Sequence, residues 1–369
     1  MIVITINSGS TSVKLAAFAS ETPAGPLRQL LRERHDARAD QAAEVLTRFL
    51  AQFDVASLSA AAHRVVHGGT RFVRPVLIDE QVVSALRELG ELAPLHNPVA
   101  LEWIAAARAH VPAHVRQIAA FDTAFFAALP RRAAEYAVPA HAGAALGVRR
   151  YGFHGLAHEA MWRRWCELRP DLPQGGRVIS LQLGGGCSIA AVAKGRPMDT
   201  SMGFSPLEGL VMATRSGDVD AATVPYLARR LGCSADRVIE LLNHEAGLLG
   251  LSGRSSDVRV LLGREDDAAR FAVDLYCYRA SKYLGAYLAV LGGCDGVLFG
   301  GGVGEHLPEI RARVLEPLVW AGIEVDSAAN LAAQGQEAQI SPEGARVGVH
   351  VVPVDEEHSL ALAALSCLG

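Results

Sequence analysis

The sequence predicts an α/β protein made of two related halves, each with a mixed β-sheet. Strand-like runs alternate with amphipathic helical patterns along the 369 residues, which is typical of layered α/β folds. Two segments, Val3–Phe18 and Val178–Gly195, share one pattern: an apolar strand, a turn of small residues, a second apolar strand and a lysine. We expect each to form an antiparallel hairpin whose turn lets a ligand approach the backbone.

The individual elements follow from the same patterns in chain order. The predicted strands are Ile2–Ile6, Val13–Phe18, Ala60–Val65, Ile118–Phe121, Val178–Leu183, Ser188–Ala193, Gly296–Phe299 and Val347–Val352. The predicted helices are Gln41–Phe53, Glu80–Gly90, Pro98–His110, Leu156–Leu168, Thr223–Leu231, Ala235–Asn243, Asp267–Leu291, Glu305–Trp320 and Glu356–Cys367.

Composition narrows the functional classes. The net charge of −4 gives no electrostatic reason to expect nucleic acid or an anionic membrane as a partner. The N-terminus lacks a basic region, so we expect no signal peptide. The apolar stretch Leu288–Gly304 contains Asp295 and many glycines, which favours buried helix, turn and strand over a membrane span. Six cysteines without a C-x-x-C pair indicate reduced thiols in a cytoplasmic protein.

Three turns have the chemistry of phosphate binding. Exposed backbone N–H groups in a glycine turn suit phosphate oxygens. In the first hairpin, Ser10, Thr11 and Ser12 add hydroxyl donors and Lys14 adds a charge. A third turn, Leu298–His306, ends a strand and opens a helix. These turns predict a nucleotide, although the P-loop, the Rossmann fingerprint and the protein-kinase motifs are missing from the sequence.

Polar residues in several other segments each have an ordinary structural explanation. Arg64 could form a structural ion pair, Asp122 could cap a helix, and Glu356 could supply the negative charge at a helix start. The i,i+4 histidine pairs at positions 63/67 and 154/158 lack further ligands and argue weakly for zinc. Only Arg215 is favoured as functional by its own context, the long Gly- and Ser-rich loop Thr200–Gly217.

Considered together, these residues have the chemistry of phosphoryl transfer. Two arginines can hold planar or tetrahedral anions through paired hydrogen bonds. A histidine can donate to a transferring phosphoryl group, and a carboxylate with an amide side chain can hold Mg²⁺ through oxygen. Positioning and charge neutralisation do most of the catalysis in such reactions.

Nine motifs resemble the acetate kinase family in the family's own order. They are NSGSTSVKL, HRVVHGG, LHNP, FDTAFF, RRYGFHG, DTSMGFSPLEGL, TRSGDVD, FGGGVGE and VVPVDEE. The resemblance runs from the first strand to the last helix. It implies two duplicated actin-like (ribonuclease H-like) α/β domains with mixed sheets around a nucleotide cleft, and the two hairpins become its paired phosphate turns. The implied domains are 1–148 plus 357–369 and 149–356, the second with the nucleotide site and a dimer interface.

The resemblance also implies a role for each matching residue. Arg64 and Arg215 would hold the acyl carboxylate and the phosphoryl group, His154 would stabilise that group, and Asp122 would position acetate or arginine or act as an acid/base. Asn7 and Glu356 would hold Mg²⁺ or Mn²⁺. The acyl pocket would be lined by Val66, Leu95, Phe153 and Pro206, supported by His96. ATP would be bound by Lys14, Gln182, Leu183, Gly184, Gly185, Gly186, Asp257, Val258, Arg259, Gly301, Gly302, Val303, Gly304 and Glu305.

The implied activity is reversible transfer from ATP to acetate, giving acetyl phosphate and ADP in a cytoplasmic homodimer. The alternatives are a propionate kinase and, with less support, a nucleotide-gated protein of the same superfamily without kinase activity. Where the family usually has histidine and asparagine in the second turn, this chain has Gln182 and Gly185. The phosphoryl donor, ATP or pyrophosphate, is therefore left open.

Overall fold

The structure, a computed structural model, describes residues 1–9, 12–23 and 25–368. The chain divides into two compact units. Unit 1 comprises Met1–Ala127, Phe153–Ala160 and Asp355–Gly369, and unit 2 comprises Ala128–Gly152 and Met161–Val354. Ser10 and Thr11, which the sequence assigns to the first phosphate turn, lie outside the described residues.

Unit 1 is built on a six-stranded mixed sheet with the order β3-β2-β1-β4-β6-β5. Its strands are β1 (Ile2–Ser8), β2 (Val13–Ala19), β3 (Arg28–His35), β4 (Leu58–Val65), β5 (Val76–Leu77) and β6 (Arg116–Phe121). Strands β1 and β2 form the predicted hairpin, in which Asn7 lies opposite Lys14. Strands β1, β4 and β6 are parallel neighbours, so their carboxyl ends meet at one edge of the sheet.

Helices cover both faces of this sheet because successive side chains of its central strands alternate between two cores. Ile4, Ile6 and Ala61 pack towards α1 (Ala42–Leu50) and α3 (Asn97–His110). Val3 and Ala60 pack towards the last helix, Glu356–Ser366, on the opposite face. Helix α2 (Glu80–Glu88) lies beside α3 and begins at Asp79, whose side chain accepts a hydrogen bond from the Val82 N–H at 2.8 Å.

Unit 2 repeats this plan. Its sheet has the order β11-β12-β10-β7-β8-β9, with β7 (Arg177–Leu183), β8 (Cys187–Ala193), β9 (Arg196–Thr200), β10 (Gly296–Gly300), β11 (Ala338–Gln339) and β12 (Gly348–Val351). Strand β7 is antiparallel to β8 and parallel to β10, and β10 is parallel to β12, as in the corresponding positions of unit 1. The shared strand order and directions confirm the predicted duplication.

The helices complete the chain order. They are α4 (Arg131–Ala134), α5 (Gly155–Leu168), α6 (Thr223–Leu231), α7 (Ala235–His244), α8 (Gly247–Ser252), α9 (Val258–Leu262), α10 (Asp267–Leu291), α11 (Gly301–His306), α12 (Pro308–Leu315), α13 (Ser327–Ala332) and α14 (Glu356–Ser366). The fully buried ring of Trp165 packs against the sheet of unit 2. A Cβ at Gly296 would lie 2.6 Å from that ring, so this strand position requires glycine.

The predicted helix over Glu305–Trp320 was wrong. The structure has α11, then α12 from Pro308, and a 3₁₀ segment over Glu316–Ala321 that contains Pro317. Proline lacks an N–H and disfavours the interior of a helix, so each proline begins a new element. The sequence reasoning also missed the charged edge strand β3 and the short β5, β9 and β11.

In the described part of the chain, no helix has the length and apolar character needed to cross a membrane.

Candidate active site

The sheet edge of unit 1 brings together three of the predicted site residues. Arg64 is near the end of β4, Asp122 follows β6, and Asn7 is near the end of β1. The Arg64 Nε donates to both carboxylate oxygens of Asp122, at 3.0 and 3.1 Å, and Nη2 donates to Oδ2 at 2.6 Å. The Arg64 Nη1 donates to the Asn7 Oδ1 at 3.1 Å. The guanidinium is therefore fixed on two sides.

Burial and neighbouring charges shift the pKa of Arg64 in opposite directions. Burial alone would lower the pKa of Arg64, but the negative charges of Asp122 and Glu356 raise it above its usual value. The Asp122 side chain is 1% exposed and that of Arg64 is 16% exposed. Arg64 therefore stays charged.

An acidic pair lies next to Asn7. The Asn7 Nδ2 donates to the Glu356 Oε2 at 2.8 Å and to the Glu357 Oε1 at 2.7 Å. The Lys14 Nζ lies 3.9 Å from the same Glu357 oxygen. Both glutamates are in the first turn of α14, which begins at Asp355, whose side chain accepts from the His358 N–H at 2.8 Å. Lys14 thus lies beside the acidic pair.

Glu356 is ionised despite its surroundings. Burial would raise its pKa, but the positive charges of Arg64 and Lys14 and the hydrogen bond from Asn7 lower it to about 2. Glu357 is 4% exposed, and the sequence reasoning did not select it. The signal was present, because it follows Glu356 directly at a helix start, but only the fold shows that Asn7 contacts both residues.

The donor chemistry of this cluster fits Mg²⁺. The cluster offers the two carboxylates of Glu356 and Glu357, while the Asn7 amide oxygen accepts from Arg64 at 3.1 Å, and Mg²⁺ prefers hard oxygen ligands. Mg²⁺ is usually bound through one or two carboxylates together with substrate phosphates and water. Among the described residues, no group of three or more His, Cys, Asp or Glu side chains is arranged to hold a metal ion.

His154 is positioned by an uncommon backbone conformation. Its φ is +58°, a left-handed conformation that costs free energy in any residue except glycine. The next residue, Gly155, donates its N–H to the Asp122 carbonyl at 2.9 Å. A Cβ at Gly155 would lie 2.1 Å from that carbonyl oxygen, so α5 can begin here only at glycine. The charge of His154 also lowers the pKa of Glu356.

The predicted acyl-pocket residues of unit 1 are linked through His67, which the sequence reasoning did not assign to the site. The Asn97 side chain accepts from the His67 N–H at 3.1 Å and donates to the His67 carbonyl at 3.0 Å. The His67 ring contacts the Phe153 ring edge-on, with centroids 5.6 Å apart. These contacts join the segments that carry Val66, Leu95 with His96, and Phe153. Leu95 is 48% exposed.

Unit 2 places two glycine turns side by side. Strand β7 pairs with β10, with Gln182 opposite Gly300. A Cβ at Gly301, where φ is +77°, would lie 2.5 Å from the Leu183 carbonyl oxygen. The turn Gly184–Gly186 that follows β7 and the segment Gly301–Glu305 are therefore neighbours. The Glu305 Oε1 accepts from the N–H groups of Gly301 and Val354, at 2.8 and 3.1 Å.

The loop that carries Arg215 contacts the first of these turns. The Ala213 N–H donates to the Gly185 carbonyl at 3.1 Å, two residues before Arg215. The Arg215 Nη1 donates to the Pro206 carbonyl at 3.2 Å, so two predicted site residues of this loop are in direct contact. The pair Asp257 and Arg259 forms a local ion pair at the start of α9, with Nη2 and Oδ2 2.6 Å apart.

Comparison with known proteins identifies the family. The family model described as the acetokinase family matches residues 28–362. The chain belongs to the acetokinase family. The acetate kinase of Solibacter usitatus is 45% identical over 322 residues, which cover 85% of this chain and 78% of the relative. The acetate kinase of Streptomyces griseus is also 45% identical, over 91% of this chain and 82% of the relative.

Solved structures of this family agree with the fold. The crystal structure of the Porphyromonas gingivalis acetate kinase matches with a TM-score of 0.89, 35% identity and full coverage of both chains. A propionate kinase from Francisella tularensis matches with a TM-score of 0.88, 30% identity and 98% coverage of both chains. Membership of the acetokinase family makes the protein a kinase, as the sequence predicted, and the superfamily alternative without kinase activity is wrong.

Proposed function

We propose that the protein transfers the terminal phosphoryl group of ATP to acetate, giving acetyl phosphate and ADP, and that it catalyses the reverse reaction. The observation that carries the proposal is the Arg64 guanidinium, which Asp122 and Asn7 hold beside the Glu356–Glu357 pair. A rigid arginine next to the proposed magnesium site suits an anionic acceptor for the phosphoryl group.

Each unit contributes residues to the proposed reaction. In unit 1, Arg64 binds the acetate carboxylate, and Val66, Leu95 and Phe153 lie around its methyl group. Both Asp122 oxygens already accept from Arg64, so Asp122 acts by positioning Arg64 rather than by moving a proton. In unit 2, the turns Gln182–Gly186 and Gly301–Glu305, with Asp257–Arg259, hold ATP. Arg215 of unit 2 and His154 of unit 1 neutralise charge on the transferring phosphoryl group.

In the proposed reaction, Mg²⁺ would supply charge neutralisation only. Asn7 and Glu356 would hold Mg²⁺, with Lys14 beside them, and Mn²⁺ is the substitute we expect to work. When bound, the ion would neutralise charge on the phosphate oxygens. The chain itself then has to orient the acceptor carboxylate in line with the phosphoryl group and keep water away from it.

The implied domain division and assembly are also proposals. We infer that residues 1–148 with 357–369 and residues 149–356 act as the two domains, and that the second carries the nucleotide site and the contacts of a homodimer. The compact units differ from these bounds in that residues 128–148 belong to unit 2 and residues 153–160 and 355–356 to unit 1. The six free cysteines support a reduced, cytoplasmic location. Light scattering coupled to size-exclusion chromatography tests the assembly, and a monomer at micromolar concentration would rule out the dimer.

The test of the function is an activity matrix of acceptors and donors. Acetate, propionate and butyrate are each combined with ATP, GTP or pyrophosphate, and the acyl phosphate is trapped as a hydroxamate. We expect the highest kcat/KM for acetate with ATP and a lower value for propionate, by about 10- to 200-fold. A higher value for propionate would make the protein a propionate kinase. Pyrophosphate as the better donor would overturn the assignment of ATP, and Gln182 and Gly185 are the residues to examine then.

Arg215→Ala gives the first specific prediction. Removing this guanidinium takes away charge stabilisation of the transferring phosphoryl group, so we expect kcat to fall by more than about a hundredfold. Circular dichroism should show an intact fold. The matched control is Arg230→Ala, at an exposed arginine of unit 2, which should leave kcat within about twofold. Near-normal turnover of Arg215→Ala would remove this residue from the mechanism.

A further inference from the structure

The loop that carries Pro206 and Arg215 has little regular structure of its own, since neither helix nor strand occurs between β9 and α6. A loop of this length needs external contacts to hold one conformation, because each residue that is fixed costs conformational entropy. Side chains of unit 2 supply these contacts. Three of these side chains have no role in the proposed reaction.

The first part of the loop is held by Arg150 and Tyr136. The Arg150 Nη1 donates to the carbonyls of Thr200 and Ser201, at 3.0 and 3.1 Å. The Arg150 Nη2 donates to the Glu208 Oε1 at 2.5 Å. The Tyr136 hydroxyl donates to the other oxygen of Glu208 and accepts from the Phe204 N–H at 2.8 Å. Both ends of the segment 200–208 are thereby tied to one another.

Close packing makes this arrangement specific. A Cβ at Gly203 would lie 1.6 Å from the Glu208 Oε2 and 2.2 Å from the Tyr136 hydroxyl, so the Glu208 carboxylate rests directly against the loop backbone. The Arg150 guanidinium lies over the Tyr136 ring, 5.7 Å from its centroid. The Arg150 side chain is 16% exposed and that of Glu208 is 30% exposed. We name Tyr136, Arg150 and Glu208 the loop clamp.

The clamp acts on Arg215 through Pro206. Pro206 lies between two of the held positions, Phe204 and Glu208, and its carbonyl accepts from the Arg215 Nη1 at 3.2 Å. A shift of Glu208 therefore moves the carbonyl that orients the Arg215 guanidinium. We propose that Tyr136, Arg150 and Glu208 are positioning residues that set the placement of Pro206 and Arg215. This inference rests on the proposed function for its effect on catalysis, but its structural part does not.

Kinetics of two variants test the catalytic part. Tyr136→Phe removes one hydroxyl while keeping the ring under Arg150, and Glu208→Gln keeps the shape while removing the charge. We expect kcat/KM for acetate to fall at least tenfold in each, with KM for ATP within twofold and a melting temperature close to that of the parent. The matched control is Glu337→Gln, which alters a paired Arg164–Glu337 contact of the same unit, with Nε and Oε2 2.6 Å apart. It should change neither constant by more than twofold.

Amide hydrogen exchange on the full chain without substrates tests the structural part. We expect the loop amides 201–217 to exchange at least tenfold faster in Tyr136→Phe and Glu208→Gln than in the parent or in Glu337→Gln, while exchange in β7 and β10 stays unchanged. Unchanged loop exchange in both variants would overturn the proposal, whatever the activity. A proportional loss of kcat/KM for acetate and for ATP, together with a large drop in melting temperature, would also overturn the proposal. Such a result would indicate general destabilisation of the variant. An inactive parent with the expected exchange pattern would reject the proposed function alone.

Discussion

Arg64 shows how one residue can be both charged and largely buried when its hydrogen-bond donors have acceptors. Its guanidinium donates to Asp122 through two nitrogens and to Asn7 through the third, and these bonds use three of its five N–H groups. Removing one partner of a buried ion pair typically lowers the free energy of unfolding by about 3–5 kcal/mol. The same contacts leave the guanidinium little freedom to rotate, as its proposed binding of an acetate carboxylate requires.

Arg64→Lys tests whether this geometry matters beyond charge. Lysine keeps the positive charge but cannot span both Asp122 oxygens and Asn7, because its donors radiate from one atom. We expect kcat/KM for acetate to fall by about a hundredfold or more, equivalent to about 2.7 kcal/mol, in steady-state assays. Arg116→Lys, at an exposed arginine of β6 in the same sheet, is the control. If Arg64→Lys kept most of its activity, the paired hydrogen bonds would be unnecessary.

At the scale of elements, short helices of unit 2 depend on a single buried arginine. Arg311 is fully buried, and its guanidinium donates to the carbonyls of Gly304, Glu305, Asn330 and Ala333 and to the Asn330 Oδ1, at 2.6–3.0 Å. It thus satisfies the last carbonyls of α11 and α13, and it fixes the segment Gly301–Glu305. Burial lowers its pKa to about 10, so it is charged at neutral pH.

Arg311→Met should therefore destabilise this region. The variant leaves several buried carbonyls without a donor, and each such group costs about 1–3 kcal/mol. We expect the free energy of unfolding in urea to fall by about 2–4 kcal/mol, with a rise in KM for ATP that exceeds any rise in KM for acetate. A loss below about 1 kcal/mol would show that water replaces the guanidinium at these carbonyls.

Gly247→Ala tests how helix α8 supports the loop of Arg215. Gly247 has a φ of +59°, and a Cβ there would lie 2.2 Å from the Met212 carbonyl oxygen and 2.7 Å from that of Arg215. Alanine should displace the Arg215 backbone and lower kcat by about tenfold or more. Gly253→Ala is a matched control, since Gly253 has a φ of +60° but no atom within 4 Å of its added Cβ. If kcat fell equally in the two variants, backbone strain alone would explain the effect of Gly247→Ala.

At the scale of the whole molecule, buried histidines link stability to pH. His63, His67 and His158 are at most 1% exposed. Burial lowers the pKa of His63 and of His67 to about 4, and burial with the charge of His154 lowers that of His158 to about 3. The unfolded chain, with histidine pKa values near 6.5, then binds more protons than the folded chain. The resulting stability is complete above about pH 6.5 and is lost as the pH falls towards 4.

Thermal unfolding between pH 7 and pH 4.5 measures this effect. We expect the melting temperature of the parent to fall with pH over this range, and to fall less steeply in His63→Gln, which removes one of the three groups. His110→Gln, at an exposed histidine near the end of α3, should keep the slope of the parent. A parent whose melting temperature is flat between pH 6.5 and pH 4.5 would contradict the prediction.

Much of the fold was predictable because its signals are local. The two hairpins and most long helices followed from periodicity within each segment, and the repeated hairpin pattern indicated the duplication. The prediction of one helix over Glu305–Trp320 was wrong because the apolar residues have helical spacing throughout, whereas Pro308 and Pro317 each begin a new element. Strand β3 was missed because an edge strand with charged residues on its exposed face lacks the apolar alternation of a central strand.

The sequence by itself determined the family and the glycine turns and predicted the residue types of the candidate site, because these are stretches of adjacent residues. Only the tertiary structure decided which of these side chains contact one another. Asn7 meets Glu357 across 350 positions, and Tyr136 meets Glu208 across 72. Arg311 holds two helix ends that follow and precede it in the chain. Contacts between distant positions depend on how the sheets and helices pack, and no local pattern of residues encodes that packing.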